Sequence, residues 1–190
     1  QAVRQRHEFL LGQPNDLTTA KADIEKVIAD LTLRMKTIFA ERFKIINEKF
    51  KAIFVDLFGG GSADILLTDP GDVLGSPIEI KVSPPGKVIK NLSALSGGEQ
   101  AFVAIALYFA ILKVRPTPFC VMDEIDTSLD EVNTVKFAEY LRRLSAATQF
   151  IIVTHRRGTM EEADVLYGVT MQDEGVSKLL TSNVNDVYQK

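Results

Sequence analysis

In the first third of the chain the apolar residues Leu17, Ile24, Leu31, Ile38 and Ile45 recur at every seventh position, with Val27, Ile28 and Met35 beside them. A stripe of that period keeps facing one partner helix, which is what a left-handed coiled-coil seam requires. Lys21, Arg34 and Arg42 interrupt the companion positions, so a long amphipathic helix fits the same pattern. Gln13-Pro14-Asn15-Asp16 reads as a break followed by a helix start, capped by Asn15 or Asp16. From Phe43 through Ile46, Phe50, Phe54 and Leu57 the spacing tightens to that of a globular helical face, and Gly59-Gly60-Gly61 ends it. Residues 1–42 are therefore expected to form a coiled-coil arm and residues 43–190 a globular domain.

Beyond the glycines the period changes. Ala63–Leu67 and the alternating Ile78-Glu79-Ile80-Lys81-Val82 read as a half-exposed antiparallel pair, joined through Asp69-Pro70-Gly71. A buried helix over about 97–113 then leads to a short apolar strand at 118–122, and a helix over about 130–146 leads to the strand Phe150–Val153. A short helix near Met160–Ala163 precedes strands at Val165–Met171 and Val176–Leu180, which meet at Asp173-Glu174-Gly175. Continuous apolar strands alternating with helices predict an α/β fold whose parallel sheet is covered on both faces.

Composition narrows the possibilities. A chain of 190 residues, 46% hydrophobic and with a formal net charge of -3, is too apolar for disorder and long enough for one real core. That charge does not advertise a nucleic-acid binder, and the pairs Arg142-Arg143 and Arg156-Arg157 read as solvated surface. The single cysteine, Cys120, excludes an internal disulfide framework and sits in an apolar run as a small core residue. No signal peptide is expected at its start, and the apolar run Ala101–Leu112 falls short of the roughly 18 residues that span a bilayer, so no membrane is expected.

Four features carry candidate chemistry. Leu95-Ser96-Gly97-Gly98-Glu99 opens the buried helix. Ser96 with Glu99 makes a capping box, but two glycines in a first turn call for another reason. Close approach of a phosphate to bare helix amides supplies one. Next, Phe119-Cys120-Val121-Met122 ends in the adjacent carboxylates Asp123 and Glu124. Ligands of open α/β sheets gather at the carboxyl ends of strands, where one acid can hold magnesium and the next can point at water. Asp126-Thr127-Ser128-Leu129-Asp130 follows directly, with Ser128 or Asp130 as a plain helix cap. Finally, His155 closes the strand Ile151-Ile152-Val153-Thr154, either as a structural residue or as a hydrogen-bond donor to a phosphate. His7, the other histidine, reads as solvated helix surface.

In this order the four features resemble the signature motif, Walker B strand, D-loop and switch histidine of ATP-binding-cassette ATPases. Within that superfamily the stretch from about Phe43 to Leu180 resembles the C-terminal half of the bacterial SMC (structural maintenance of chromosomes) head. The most specific matches are Pro85-Gly86-Lys87, Asn91–Glu99, Val114–Cys120 and Val153–Met160. Ile125-Asp126 stands where transporter ATPases place proline after the catalytic glutamate, which favours the SMC type.

The resemblance implies an ATP-gated head dimer. Ser96, Gly97 and Gly98, with Glu99, would contact ATP held by the opposite head, and Asp130 would lie at the dimer seam. Asp123 would support Mg2+, Glu124 would be the general base, and His155 would sense the γ-phosphate. Gln100 departs from the basic residue expected after the signature glutamate. The implied partners are the N-terminal half of the same head, a second SMC head, a kleisin subunit and DNA, in a cytoplasmic, nucleoid-associated setting. No Gly-x-x-x-x-Gly-Lys-Ser/Thr occurs in the chain, so this half alone is expected to be inactive. A DNA-repair ATPase of the Rad50 or RecN type, or a kleisin-docking module without activity, are the alternatives.

Overall fold

A computed structural model of the chain describes residues 2–87, 92–173 and 175–183. Two compact units emerge: Gln1–Lys44 with Leu67–Ile78, and Ile45–Leu66 with Glu79–Lys190. Helix α1 runs without interruption over Ala2–Phe58. The break expected at residues 13–16 is absent. An interior proline removes one backbone hydrogen bond and crowds the preceding turn, yet the helix continues on both sides of it. The side chains of His7, Asn15 and Asp16 lie outside those described.

The heptad positions Leu17, Ile24, Leu31 and Ile38 are all exposed. Nothing in their own unit covers them, as befits a seam that packs against a separate helix. The helix stops at three successive positive-φ glycines, and Gly60 N donates to Val55 O across its end at 3.0 Å. At Gly61 a Cβ would collide with the Ser83 carbonyl, so only glycine lets the backbones cross there.

Strand β1 (Ser62–Leu67) pairs with β2 (Ile78–Ser83) in a two-stranded sheet. Asn47 fixes the end of α1 to β1, its amide donating to Asp64 and its carbonyl accepting from Ile65 N. A single 3-10 turn at Leu92–Ala94 leads into α2 (Gly97–Val114), the core helix, which buries Phe102, Val103, Ile105, Ala106, Phe109, Ala110 and Leu112. By length and composition α2 could cross a membrane. Its buried face instead packs into an aromatic core: Phe58 lies 5.0 Å from Phe102, and Phe109 lies 5.1 Å from Tyr140 and 5.9 Å from Phe137, between ring centroids. Phe137 and Tyr140 belong to α3 (Glu131–Leu144). Cys120 is buried as expected, its thiol 2.8 Å from the Tyr108 hydroxyl.

Strands β3 (Phe119–Asp123) and β4 (Gln149–Val153) are parallel and in register from Phe119 opposite Gln149 to Asp123 opposite Val153. Helix α4 (Arg157–Glu161) follows β4, and β5 (Val165–Asp173) pairs antiparallel with β6 (Val176–Asn183). Of the expected turn Asp173-Glu174-Gly175, Glu174 lies outside the described residues.

The parallel sheet departs from expectation on one side. Cys120 and Met122 face the core, but Phe119, Val121, Ile151 and Val153 remain 59%, 59%, 49% and 52% exposed. The apolar runs that suggested a sheet covered on both faces are real. Their second cover is not supplied by the described residues.

Candidate functional site

Parallel pairing of β3 with β4 brings their carboxyl ends side by side, because strands in register terminate together. Glu124 N continues the ladder by donating to Val153 O at 2.9 Å. The chain then turns sharply, and among the described residues Glu124 is the one non-glycine residue with positive φ, at 49°. A bulky residue held in the left-handed region costs local stability, and such strain concentrates where side-chain direction matters more than comfort. Here it aims the Glu124 carboxylate at the end of β4, where its Oε1 lies 4.0 Å from His155 Nδ1. The two side chains are 59% and 60% exposed, so both reach solvent. Asp123 beside them is exposed as well.

Asp126-Thr127-Ser128-Leu129-Asp130 forms a tight loop against this pair. Thr127 donates to Glu124 O through both its amide and its hydroxyl, the latter at 2.7 Å. Leu129 is the loop's apolar anchor, 2% exposed. Asp130 is the N-cap of α3, accepting from Asn133 N at 2.8 Å. Of the two cap candidates, Ser128 and Asp130, the second fills the role.

The tip of α2 carries the expected capping box. Ser96 Oγ accepts from Glu99 N at 3.3 Å, and Glu99 Oε2 accepts from Ser96 N at 3.0 Å. Lys87 Nζ adds a 2.7 Å ion pair to Glu99 Oε1. The Lys87 ammonium, with the Ser96 amide, holds the Glu99 carboxyl below its usual value. A cation thus reaches this tip from the Pro85-Gly86-Lys87 loop, whereas Gln100 turns back to the Leu92 and Leu95 carbonyls.

The two glycines part company. Around Gly97 a Cβ would meet nothing within 4 Å. At Gly98 a Cβ would sit 2.8 Å from the Ser128 carbonyl oxygen. Packing inside the chain therefore demands the second glycine, whatever a phosphate demands of the first.

Glu124 and His155 are brought together at the two strand ends, with Asp123 adjoining. Ser96, Gly97, Gly98 and Glu99 form a separate tip that touches the loop after Glu124 through Gly98. Sequence reasoning assigned no role to Asp126, Thr154, Thr159 or Lys87. Asp126 is 0% exposed and its Oδ2 accepts from Thr154 Oγ1 at 2.7 Å and from Thr159 Oγ1. No periodicity marks a buried acid in a polar loop. For Lys87 the signal was its place in a conspicuous Pro-Gly-Lys turn.

Among the described residues no group of three or more His, Cys, Asp or Glu could hold a metal ion by itself. Magnesium, which keeps several waters and takes one or two carboxylates alongside substrate phosphates, needs no such cage. One exposed carboxylate, Asp123, at the end of β3 fits that limited demand.

Residues 4–178 match the family described as RecF/RecN/SMC N terminal domain. The chromosome partition protein Smc of Bacillus subtilis is 52% identical over 187 residues, covering 98% of this chain and 16% of that protein. The chain thus spans 16% of the length of this curated relative. A solved structure from work on ATP-driven dimerization and DNA stimulated activation of SMC ATPases matches with a TM-score of 0.73 at 38% identity, covering 80% of this chain and 92% of that one. The Smc head domain of Pyrococcus furiosus, with an extended coiled coil and bound to the C-terminal domain of ScpA, matches with a TM-score of 0.76 at 37% identity, covering 97% of this chain and 46% of that one. With its long N-terminal helix, small sheets and paired strand-end residues, the chain has the fold of an SMC head and belongs to the RecF/RecN/SMC N terminal domain family.

Proposed function

We propose that this chain is the half of an SMC-type ATPase head that supplies the signature tip, the strand-end acids and the switch histidine to an ATP-gated head dimer acting on chromosomal DNA in the cytoplasm. The observation that carries the reading is the Glu124–His155 pair, 4.0 Å apart at the ends of adjacent parallel strands and aimed by a left-handed Glu124 backbone. A carboxylate so placed can take the proton of an attacking water, and a neighbouring imidazole can donate to the phosphoryl oxygen that gains charge. Asp123 would hold magnesium, which when bound neutralises charge on the phosphates. The start of α2 at Ser96 and Gly97, with space around Gly97, forms a helix tip to which the γ-phosphate of ATP on a second head can bind.

Two features support an incomplete head. The chain has no phosphate-cradling Gly-x-x-x-x-Gly-Lys-Ser/Thr loop. The open face of Phe119, Val121, Ile151 and Val153 gives the N-terminal half of the head an apolar surface to cover. Hydrolysis belongs to the assembled head, not to this half alone. Co-expression with a segment bearing the missing loop should give ATP turnover that neither piece shows alone. A stable complex of the two without turnover would overturn the reading.

The ScpA-bound Pyrococcus furiosus head favours a second, compatible role, in which this half docks a kleisin subunit. Nucleotide binding by the chain alone would argue against docking as its sole role. The Rad50 or RecN alternative is the weaker one, since the relative at 52% identity is a chromosome partition protein.

A further inference from the structure

Asp126 is a fully buried acid that the ATPase reading leaves without a task. It is 0% exposed, and a carboxylate is rarely retained in an interior where an apolar residue would fill the space more favourably. Its Oδ2 accepts two hydroxyl hydrogen bonds, from Thr154 at the end of β4 and from Thr159 inside α4. Those threonines bracket His155. One oxygen atom therefore pins both ends of the segment that presents the imidazole.

The same residue lies two positions after Glu124. Leu129 N donates to Asp126 O at 3.1 Å, so the loop closes on the backbone of the same acid. Arg156, next to the histidine, donates from its guanidinium to Thr127 O and from its amide to Thr154 Oγ1 at 3.0 Å. Beside this cluster, the ladder bond from Glu124 N to Val153 O joins the Glu124 loop to the strand that leads into the His155 segment. Asp126 Oδ1 and Arg156 Nε are buried without a hydrogen-bond partner.

We propose that Asp126, with Thr154 and Thr159, is a positioning clamp that sets the separation of Glu124 and His155. The inference rests on the ATPase reading above. Neither threonine touches the reacting atoms. Their hydroxyls act through the carboxylate, and loss of either bond lets the imidazole drift from the base. A displacement of about 1 Å in such a pair is worth on the order of a hundredfold in rate, so partial release of one anchor should cost about tenfold.

The test uses the complete protein, with both halves of the head, and measures ATP turnover as a function of ATP concentration. Thr154→Val and Thr159→Val should each lower kcat about tenfold, with KM changed by less than about twofold, because the nucleotide contacts are untouched. Thr154→Ser and Thr159→Ser, which keep the hydroxyl, should retain kcat within about twofold. Folding is checked separately: combined with Glu124→Gln, each Val variant should still form ATP-dependent dimers. Wild-type kcat in both Val variants overturns the clamp, as do Ser variants that fall as far as the Val variants. If Glu124→Gln alone leaves turnover intact, the base assignment fails; if it stops turnover while the Val variants are normal, only the clamp fails.

Discussion

Alanine at Gly97 and alanine at Gly98 should have opposite effects on stability, although the two glycines are adjacent in the first turn of α2. Alanine is favoured over glycine within a helix by about 1 kcal/mol, less in the first turn. At Gly97 nothing lies within 4 Å of the new methyl group, so Gly97→Ala should keep that gain. For a chain of this size a gain of up to about 1 kcal/mol raises Tm by about 2–4 °C. At Gly98 the methyl carbon would lie 2.8 Å from the Ser128 carbonyl oxygen. That oxygen is backbone, held in the loop between Glu124 and Asp130, so contact is relieved only by moving the loop off the helix. Overpacking of this kind costs about 1–3 kcal/mol, which exceeds the propensity gain. The net effect of Gly98→Ala should be a loss of up to about 2 kcal/mol, read as a lower urea midpoint with an unchanged slope. Gly98→Ala as stable as Gly97→Ala would refute the packing argument. In the complete head Gly97→Ala, although well folded, should weaken nucleotide-driven dimerisation, because its methyl group occupies the space left for a phosphate.

Phe109→Ala removes a ring that is 0% exposed and packed against Phe137 and Tyr140, and should cost about 3–5 kcal/mol, seen as a drop in Tm. The Tyr108 hydroxyl is pushed up to about 12 by its hydrogen bond to Cys120 and by burial. Because the folded value lies above the unfolded one, its stabilising effect is complete below about pH 10 and lost as the pH rises through the folded value. Alkaline absorbance titration should show Tyr108 ionising at lower pH once Cys120→Ala removes its hydrogen-bond partner, and a titration curve left unchanged by Cys120→Ala would contradict this. Ser96→Arg places a bulky cation on the signature tip and should abolish ATP-driven head engagement, and dimerisation at unchanged ATP concentrations would count against a contact made across the dimer.

Legibility in the sequence followed the physics of each element. The seven-residue stripe and the glycine triplet announced α1 and its end, because both depend on local spacing and backbone freedom. Pro14 misled, since the 57-residue helix runs through it despite the lost hydrogen bond and the crowded turn. The strands β3 and β4 were plain from Phe119–Met122 and Phe150–Val153, yet apolar runs report that both faces want cover, not that the same chain provides it. At the site, Ser96, Glu99 and Asp130 were recognisable as caps from their position before apolar helices. Gly98 was read as an opening for a phosphate, whereas its nearest demand is the Ser128 carbonyl, far along the chain. Asp126 and the left-handed backbone of Glu124 were invisible, because burial and φ at a polar loop are set by tertiary contacts.

The most direct measurement is made on the complete head carrying Glu124→Gln, with ATP and magnesium present. Size-exclusion chromatography should show ATP-dependent dimers that persist, while phosphate release stops. Turnover at the wild-type rate in that variant would contradict the assignment of Glu124 as the base of a shared nucleotide site.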